Sequence, residues 1–208
     1  MYSDYTNLTK QERILFFMSK KIQLIIGSTR QNRISPVIAR WIEAQVAKND
    51  DFELEVLDLK TINLPFFNEP TSPSMAPGTS EEAKAWSAKI SSADAFIVLS
   101  SEYNAGYPAP LKNAIDYLKP EWQNRPVTIV TYGYGGGVSS AAQLKQVFTR
   151  LGAEIVESGV AIDIGAGLLN EVGGLIEPAT GLEKYDELLA TALDEIAAYE
   201  KVEALAVA

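Results

Sequence analysis

The chain of 208 residues contains no cysteine and no histidine. Their absence excludes disulfide bonds, thiol nucleophiles, zinc-finger sites and a Ser-His-Asp triad. Histidine is also the side chain that most readily transfers protons near neutral pH, so acid-base catalysis would need a perturbed carboxylate, lysine or tyrosine. If the protein is an enzyme, the sequence favours catalysis by carboxylates or by a bound cofactor.

Positive charge and long apolar runs are also scarce. Lysine and arginine total 18 against 27 acidic residues, a net charge of -9, which argues against nucleic acid as the main partner. No apolar stretch approaches the ~20 residues that a membrane span requires. The polar N-terminus carries no signal-peptide pattern. We therefore expect a cytoplasmic protein with no nucleic-acid partner, no membrane partner and no metal site.

Hydrophobic residues make up 47% of the chain, enough for one sizeable core. We expect residues 1–20 to be an N-terminal extension and residues 21–208 to form a single domain. The apolar periodicity predicts strands over residues 22–26, 52–59, 95–99, 126–130 and 153–164. It predicts helices from residue 35 and over residues 81–90, 108–119, 138–151 and 182–202, with loops over residues 65–80 and 165–181. This alternation predicts a parallel sheet covered by helices on both faces.

The loop after the first strand suits a phosphate group. Ser28 offers a hydroxyl, Arg30 and Arg33 offer positive charge, and Ser35-Pro36 has the composition of a helix start, with Ser35 as the expected N-cap. The free N–H groups of a helix start attract anions. The loop matches neither G-x-G-x-x-G nor the P-loop pattern. An ordinary strand-to-helix turn with solvated arginines remains the alternative.

Two further loops follow the third and fourth strands. In the second loop, Asn104 can match the edge of a heterocycle and Tyr103 can cover a ring. In the third loop, Tyr132 and Tyr134 flank Gly133 and could frame a flat ring. The alternative is a simple turn at residues 104–106 and a flexible glycine connection. Because ligands bind beyond the carboxyl ends of parallel strands, the three loops together predict a mononucleotide site.

Three segments carry a family resemblance: "GSTRQNRISP", "SEYNAGYPAPLKNAIDYL" and "TYGYGGGVSSAAQLKQVF". They resemble the NADPH-dependent FMN reductase family, a flavodoxin-like group that includes quinone, azo-dye and chromate reductases. The resemblance extends over about residues 21–157. It implies an α/β flavodoxin-like three-layer sandwich with a five-stranded parallel sheet of order 2-1-3-4-5.

The resemblance also implies which residues hold FMN. Ser28, Arg30, Arg33 and Ser35 would hold the phosphate; Ser101, Glu102, Tyr103 and Asn104 would line the isoalloxazine; Tyr132, Gly133, Gly135 and Gly136 would close over the ribityl chain and ring. The family usually has proline where this chain has Ser101, which removes a rigid φ angle and restores an N–H donor.

The activity implied by the resemblance is an FMN-dependent NAD(P)H oxidoreductase. NADPH or NADH would reduce FMN, and a quinone, azo dye, free flavin or similar small oxidant would then take the electrons in a ping-pong cycle. No protein side chain would be catalytic, because the chemistry takes place on FMN. The resemblance further implies a homodimer or homotetramer that pairs through the helix over residues 109–118, whose apolar stripe and neighbouring aromatic residues suit an interface.

Two other functions remain open at this point. One is a flavodoxin-type electron carrier that binds FMN without a nicotinamide step, for which an acidic surface would be suitable. The other is a flavin-free protein that binds a nucleotide or a phosphosugar.

Overall fold

The protein is a parallel sheet between two layers of helices. The computed structural model describes residues 19–165, 168–169 and 181–199. The strands are β1 Lys20–Ile26, β2 Phe52–Asp58, β3 Ala95–Ser101, β4 Pro126–Gly133, β5 Glu154–Ile155 and β6 Val160–Asp163. The helices are α1 Ser35–Val46, α2 Leu59–Ile62, α3 Glu81–Ser91, α4 Ala109–Asp116, α5 Val138–Leu151 and α6 Asp186–Ala198. Short 3-10 turns occupy Pro120–Trp122, Tyr134–Gly137 and Glu183–Tyr185.

The strand order confirms the flavodoxin-like prediction. Across the sheet it is β2-β1-β3-β4-β5, and β6 also pairs with β4. Neighbouring strands are parallel throughout. The fifth position of the sheet is therefore shared by two short strands instead of one.

The central strand β3 shows why the sheet lies between two helical layers. All of its residues are buried, as parallel strands covered on both faces require. Ala95, Ile97 and Leu99 pack with α1 and α6 in one core. Phe96 and Val98 pack with α3, α4 and α5 in the other. Alternation along one strand thus divides the interior into two apolar layers.

The predicted last strand over residues 153–164 is divided into β5 and β6, because the chain leaves the sheet between them. The Ser158 carbonyl accepts a hydrogen bond of 3.1 Å from the Thr128 hydroxyl, and the Ser158 N–H donates to the Glu195 carboxylate. In the segment between β5 and β6, these bonds take the place of ladder bonds to β4. The last helix is also shorter than predicted, since α6 begins at Asp186 and ends at Ala198. The predicted extension, except for residues 19 and 20, and most of the predicted loop over residues 165–181 lie outside the described residues.

The side chain of Lys20 connects the start of β1 to the end of α6. Its ammonium group donates to the carbonyls of Ile196 at 2.9 Å, Ala197 at 2.6 Å and Tyr199 at 2.7 Å. The last carbonyls of a helix have no intrahelical partner, so the lysine satisfies them. This contact lies at the amino edge of the sheet.

At the opposite edge, the loops after β1, β3 and β4 lie side by side. The register pairs Ile26 with Leu99 and Leu99 with Val130, which brings the three strand ends together. Gly27 donates to the Leu99 carbonyl, and a Cβ atom at Gly27 would lie 2.8 Å from Leu111 of α4. This position therefore needs glycine. In the described part of the chain, no helix is both long and apolar enough to cross a membrane.

Helix α4 does not present the apolar stripe on which the predicted interface depended. Leu111, Ala114 and Ile115 are each 1% exposed, and Tyr117 and Trp122 are buried as well. The sheet of the same chain covers this stripe. The stripe therefore gives no basis for an interface through α4.

Candidate functional site

The first loop keeps backbone donors free at the start of α1. The N–H groups of residues 28–32 have no hydrogen-bond acceptor within the described chain. The N-cap of α1 is Ile34, which provides no side-chain cap, rather than Ser35 as expected. The Ser35 hydroxyl instead lies 2.6 Å from that of Ser28. Free N–H groups at a helix start favour an anion such as phosphate.

A buried hydroxyl cluster supports this loop. Ser28 and Ser35 are fully buried, and the Tyr132 hydroxyl donates to the Ser28 hydroxyl at 3.1 Å. Burial raises the pKa of the Tyr132 phenol, although its hydrogen bond to the Ser28 hydroxyl partly opposes the rise. The phenol therefore remains a proton donor at neutral pH. Tyr132 is 5% exposed and Tyr134 is 77% exposed, so Tyr134 is the one of these two tyrosines whose ring faces solvent.

The two arginines of the first loop differ in their availability to a ligand. Arg30 is exposed and makes one weak bond of 3.3 Å to the Asn32 carbonyl. The Arg33 guanidinium forms a two-pronged ion pair with Asp58 and also donates to the Ser28 carbonyl. Arg30 is thus free to turn toward an anion, whereas Arg33 fixes the loop to the end of β2. The role of Asp58 was missed, although its position at a strand end on this edge was a signal.

The second loop is a tight two-residue hairpin turn. Tyr103 and Gly106 exchange backbone hydrogen bonds of 2.8 and 3.0 Å. Asn104 and Ala105 have φ angles of 50° and 60°. Such left-handed backbone is strained for alanine, by about 1–2 kcal/mol, and such strain is concentrated at functional sites. The Gln143 amide holds the turn by donating to the Ala105 carbonyl at 2.7 Å.

Glu102, directly after β3, has a structural role at the start of α5. Its carboxylate accepts hydrogen bonds from the backbone N–H groups of Ser139 at 2.9 Å and Ser140 at 3.2 Å, at the start of α5. A carboxylate in this position satisfies otherwise unpaired donors and suits the positive end of the helix. The Glu102 N–H donates to the Tyr132 carbonyl. Glu102 therefore connects the second loop to the third.

The third loop presents a glycine backbone to the site. Gly135 and Gly136 have φ angles of 72° and 85°, which favour glycine. A Cβ atom at Gly136 would lie 3.0 Å from Ala161, whereas one at Gly135 would meet no atom of the described structure within 4 Å. The Asp163 carboxylate accepts the N–H groups of Gly165 and Gly135, and these bonds lower its pKa. Contacts with β6 therefore hold the third loop in place, while the space over Gly135 stays open.

Ser101 leaves a polar atom unpaired between the second and third loops. Its hydroxyl is buried and has no hydrogen-bond partner within the described residues. It lies beside Tyr132 in the register of β3 and β4. Since an unpaired buried hydroxyl costs about 1–3 kcal/mol, a ligand group or water is expected to satisfy it. The Asn104 side-chain amide likewise has no partner in the described chain.

These features form one continuous site at the carboxyl edge. Anion donors lie at one end, while an unpaired amide, a buried hydroxyl and an open glycine face lie at the other. This arrangement suits a mononucleotide with a flat ring. The described residues contain no group of three or more acidic side chains placed to hold a metal ion. The assignment of individual residues to parts of FMN stays a prediction.

Comparison with known proteins gives consistent results. The family model described as NADPH-dependent FMN reductase matches residues 20–167. An NAD(P)H-dependent FMN reductase of Schizosaccharomyces pombe is 37% identical over 180 residues, which cover 86% of this chain and 88% of that protein. A quinone reductase of Escherichia coli is 29% identical over 148 residues, covering 67% of this chain and 76% of the relative.

The fold has a similar counterpart among solved structures. The flavoenzyme NAD(P)H:(acceptor) oxidoreductase FerB of Paracoccus denitrificans superposes with a TM-score of 0.67 at 20% identity. The match covers 86% of this chain and 98% of that chain. At this level of identity the similarity concerns the fold.

Proposed function

Since this chain belongs to the NADPH-dependent FMN reductase family, we propose that it is an FMN-dependent NAD(P)H oxidoreductase that reduces quinones and similar small oxidants. The observation that carries the proposal is the set of unpartnered N–H groups of residues 28–32, opposite the open glycine face of the third loop. We also propose that it acts in the cytoplasm.

The residues of the site fit FMN. The N–H groups of the first loop, with Arg30, would hold the phosphate, and the hydroxyl cluster beneath them would keep the loop in place. The unpaired Ser101 hydroxyl and Asn104 amide would meet polar atoms of the ring. The open space over Gly135 would allow the ring or the ribityl chain to approach closely.

When bound, FMN would supply the two-electron redox chemistry that connects NAD(P)H to the oxidant. With a quinone, the products are NAD(P)+ and a hydroquinone, whose second proton comes from solvent. The chain contributes binding, orientation and an open ring face that each substrate occupies in turn. This assignment requires no acidic or basic side chain, which is compatible with a chain that lacks histidine.

We expect purified protein to be yellow and its kinetics to be ping-pong. A single ring face that serves two substrates in turn gives parallel double-reciprocal lines for NADPH and a quinone. Stopped-flow spectroscopy should show the flavin bleach under NADPH before any oxidant is added. Intersecting lines with a ternary complex would contradict the shared face.

FMN binding without NADPH or NADH oxidation would favour the electron carrier, and protein without flavin would favour the nucleotide or phosphosugar binder.

We further propose that the chain forms a homodimer or homotetramer. Exposed apolar side chains of the third loop and of the start of α5 support this: Tyr134 is 77% and Val138 60% exposed. Light scattering at micromolar concentration should give at least twice the chain mass of 22.7 kDa. A monomer with full NAD(P)H-quinone activity at that concentration would contradict the assembly.

A further inference from the structure

A cavity of about 430 Å³ lies beside the first loop, on the side away from the third loop. Its wall includes Thr29 of the first loop, Lys60 and Asn63 around α2, Phe66, and Pro110 at the start of α4. None of its lining residues belongs to the second or third loop. Its volume is typical of sites that bind small molecules. The cavity is therefore distinct from the predicted position of the flavin ring.

The outer wall of this cavity is held in one conformation by α4. The Asn113 side chain accepts the N–H of Phe67 at 2.8 Å and donates to the carbonyl of Pro65 at 2.7 Å. The Tyr117 hydroxyl donates to the same carbonyl at 3.0 Å. The bonds fix the backbone on both sides of Phe66, whose side chain is 84% exposed. An apolar ring on a fixed backbone is thus available to a ligand.

Apart from Asn113, which holds the wall, the polar side chains of the cavity make no bond within the described chain. The Lys60 ammonium has no ion pair or hydrogen bond, and the Asn63 amide and Thr29 hydroxyl have no partner, within the part of the chain that is described. The backbone at Lys60 is fixed, because its N–H donates to the Asp58 carboxylate that caps α2. A single cation, an amide and an exposed aromatic ring form a set that suits a nucleobase carrying a nearby phosphate.

We propose that this cavity binds the adenosine 2′-phosphate half of NADPH, with adenine against Phe66 and the 2′-phosphate at Lys60. The proposal rests on the proposed function, because it assigns one half of the same reductant. The nicotinamide must reach the flavin ring at the second and third loops. The nicotinamide half of NADPH would therefore extend from the cavity along the carboxyl edge of the sheet. In the proposed function, the free N–H groups of the first loop would be taken by the FMN phosphate. Of the two arginines of the first loop, Arg33 is paired with Asp58 and Arg30 is assigned to the FMN phosphate.

The first test measures binding of reductant fragments that cannot reduce flavin. Adenosine 2′,5′-bisphosphate and 5′-AMP are titrated calorimetrically into the FMN-loaded protein. In Lys60→Gln, the dissociation constant of the bisphosphate should rise about tenfold, as expected for one lost charge-assisted contact, while that of 5′-AMP stays the same. Phe66→Ala should weaken both fragments by about tenfold, since it removes the stacking surface. Lys84→Gln is the matched control: it removes the same charge from an exposed lysine of α3 outside the cavity and should change neither constant.

The second test is kinetic. With an uncharged quinone as oxidant, Lys60→Gln should raise KM for NADPH about tenfold and leave kcat and the KM for NADH unchanged. Equal changes for NADPH and NADH, or none, would overturn the assignment even if the wild-type protein is an active reductase. If the wild-type protein oxidises neither nucleotide but binds the bisphosphate in a Lys60-dependent manner, the cavity assignment stands and the proposed activity falls.

Discussion

Replacing Trp122 with alanine is expected to lower the free energy of unfolding by about 3–5 kcal/mol, the range for truncating a large aromatic residue in a core. The indole is fully buried, and its ring centroid lies 4.9 Å from that of Phe96 and 5.4 Å from that of Phe148, both edge-on. Because domains are stable by only about 5–15 kcal/mol, this loss is a large fraction of the total. Urea denaturation followed by circular dichroism measures it.

The matched control for Trp122→Ala is Met75→Ala. Met75 is a large apolar side chain that is 81% exposed, so its truncation should change the unfolding free energy by less than about 0.5 kcal/mol. A loss below about 1 kcal/mol for Trp122→Ala would contradict a closely packed aromatic cluster between the sheet and α5, because it would mean that neighbours collapse into the cavity.

Arg30→Ala is expected to weaken FMN binding roughly ten- to a hundredfold. A charge-assisted contact to phosphate contributes about 1.5–3 kcal/mol. Folding should change little, since Arg30 is exposed and makes only a weak bond to Asn32. Quenching of flavin fluorescence during titration of the apoprotein gives the dissociation constant.

Two variants make the Arg30 result specific. Arg150→Ala removes an exposed arginine from the last turn of α5, at the opposite edge, and should leave FMN affinity unchanged. Arg33→Ala breaks the pair with Asp58, so it should lower the unfolding free energy as well as the FMN affinity. Unchanged affinity in Arg30→Ala would mean that the phosphate binds elsewhere.

Apolar periodicity was sufficient to predict the order of strands and helices in the main body of the fold. The strands over residues 95–99 and 126–130 are near-continuous apolar runs, and the helix over residues 138–151 was predicted with its observed bounds. These features depend on local pattern. The break between β5 and β6 was not predictable in the same way, because it depends on contacts of Ser158 with Thr128 and Glu195, which lie 30 and 37 residues away.

The meeting of the three loops at one edge of the sheet was also predictable, but the directions of their side chains were not. The rule that ligands bind beyond parallel strand ends located the three loops. The burial of Tyr132 was not predicted, because β4 continues to Gly133, three residues past the predicted end, and Tyr132 therefore packs in the same core as Val130. The bond between Ser28 and Ser35, and the pair of Arg33 with Asp58, arise only when the loop closes against β2 and β4.

The lysine contact at the amino edge makes the two ends of the described domain spatial neighbours. Because the Lys20 ammonium reaches the carbonyls of Ile196, Ala197 and Tyr199, a short peptide can join residue 199 to residue 19 without crossing the sheet. A circular permutant with that junction, opened within the loop over residues 65–80, would keep every strand neighbour. The junction also lies at the edge opposite the three loops at which we propose that FMN binds, so it is a suitable point for attaching the protein to an electrode with those loops toward solution.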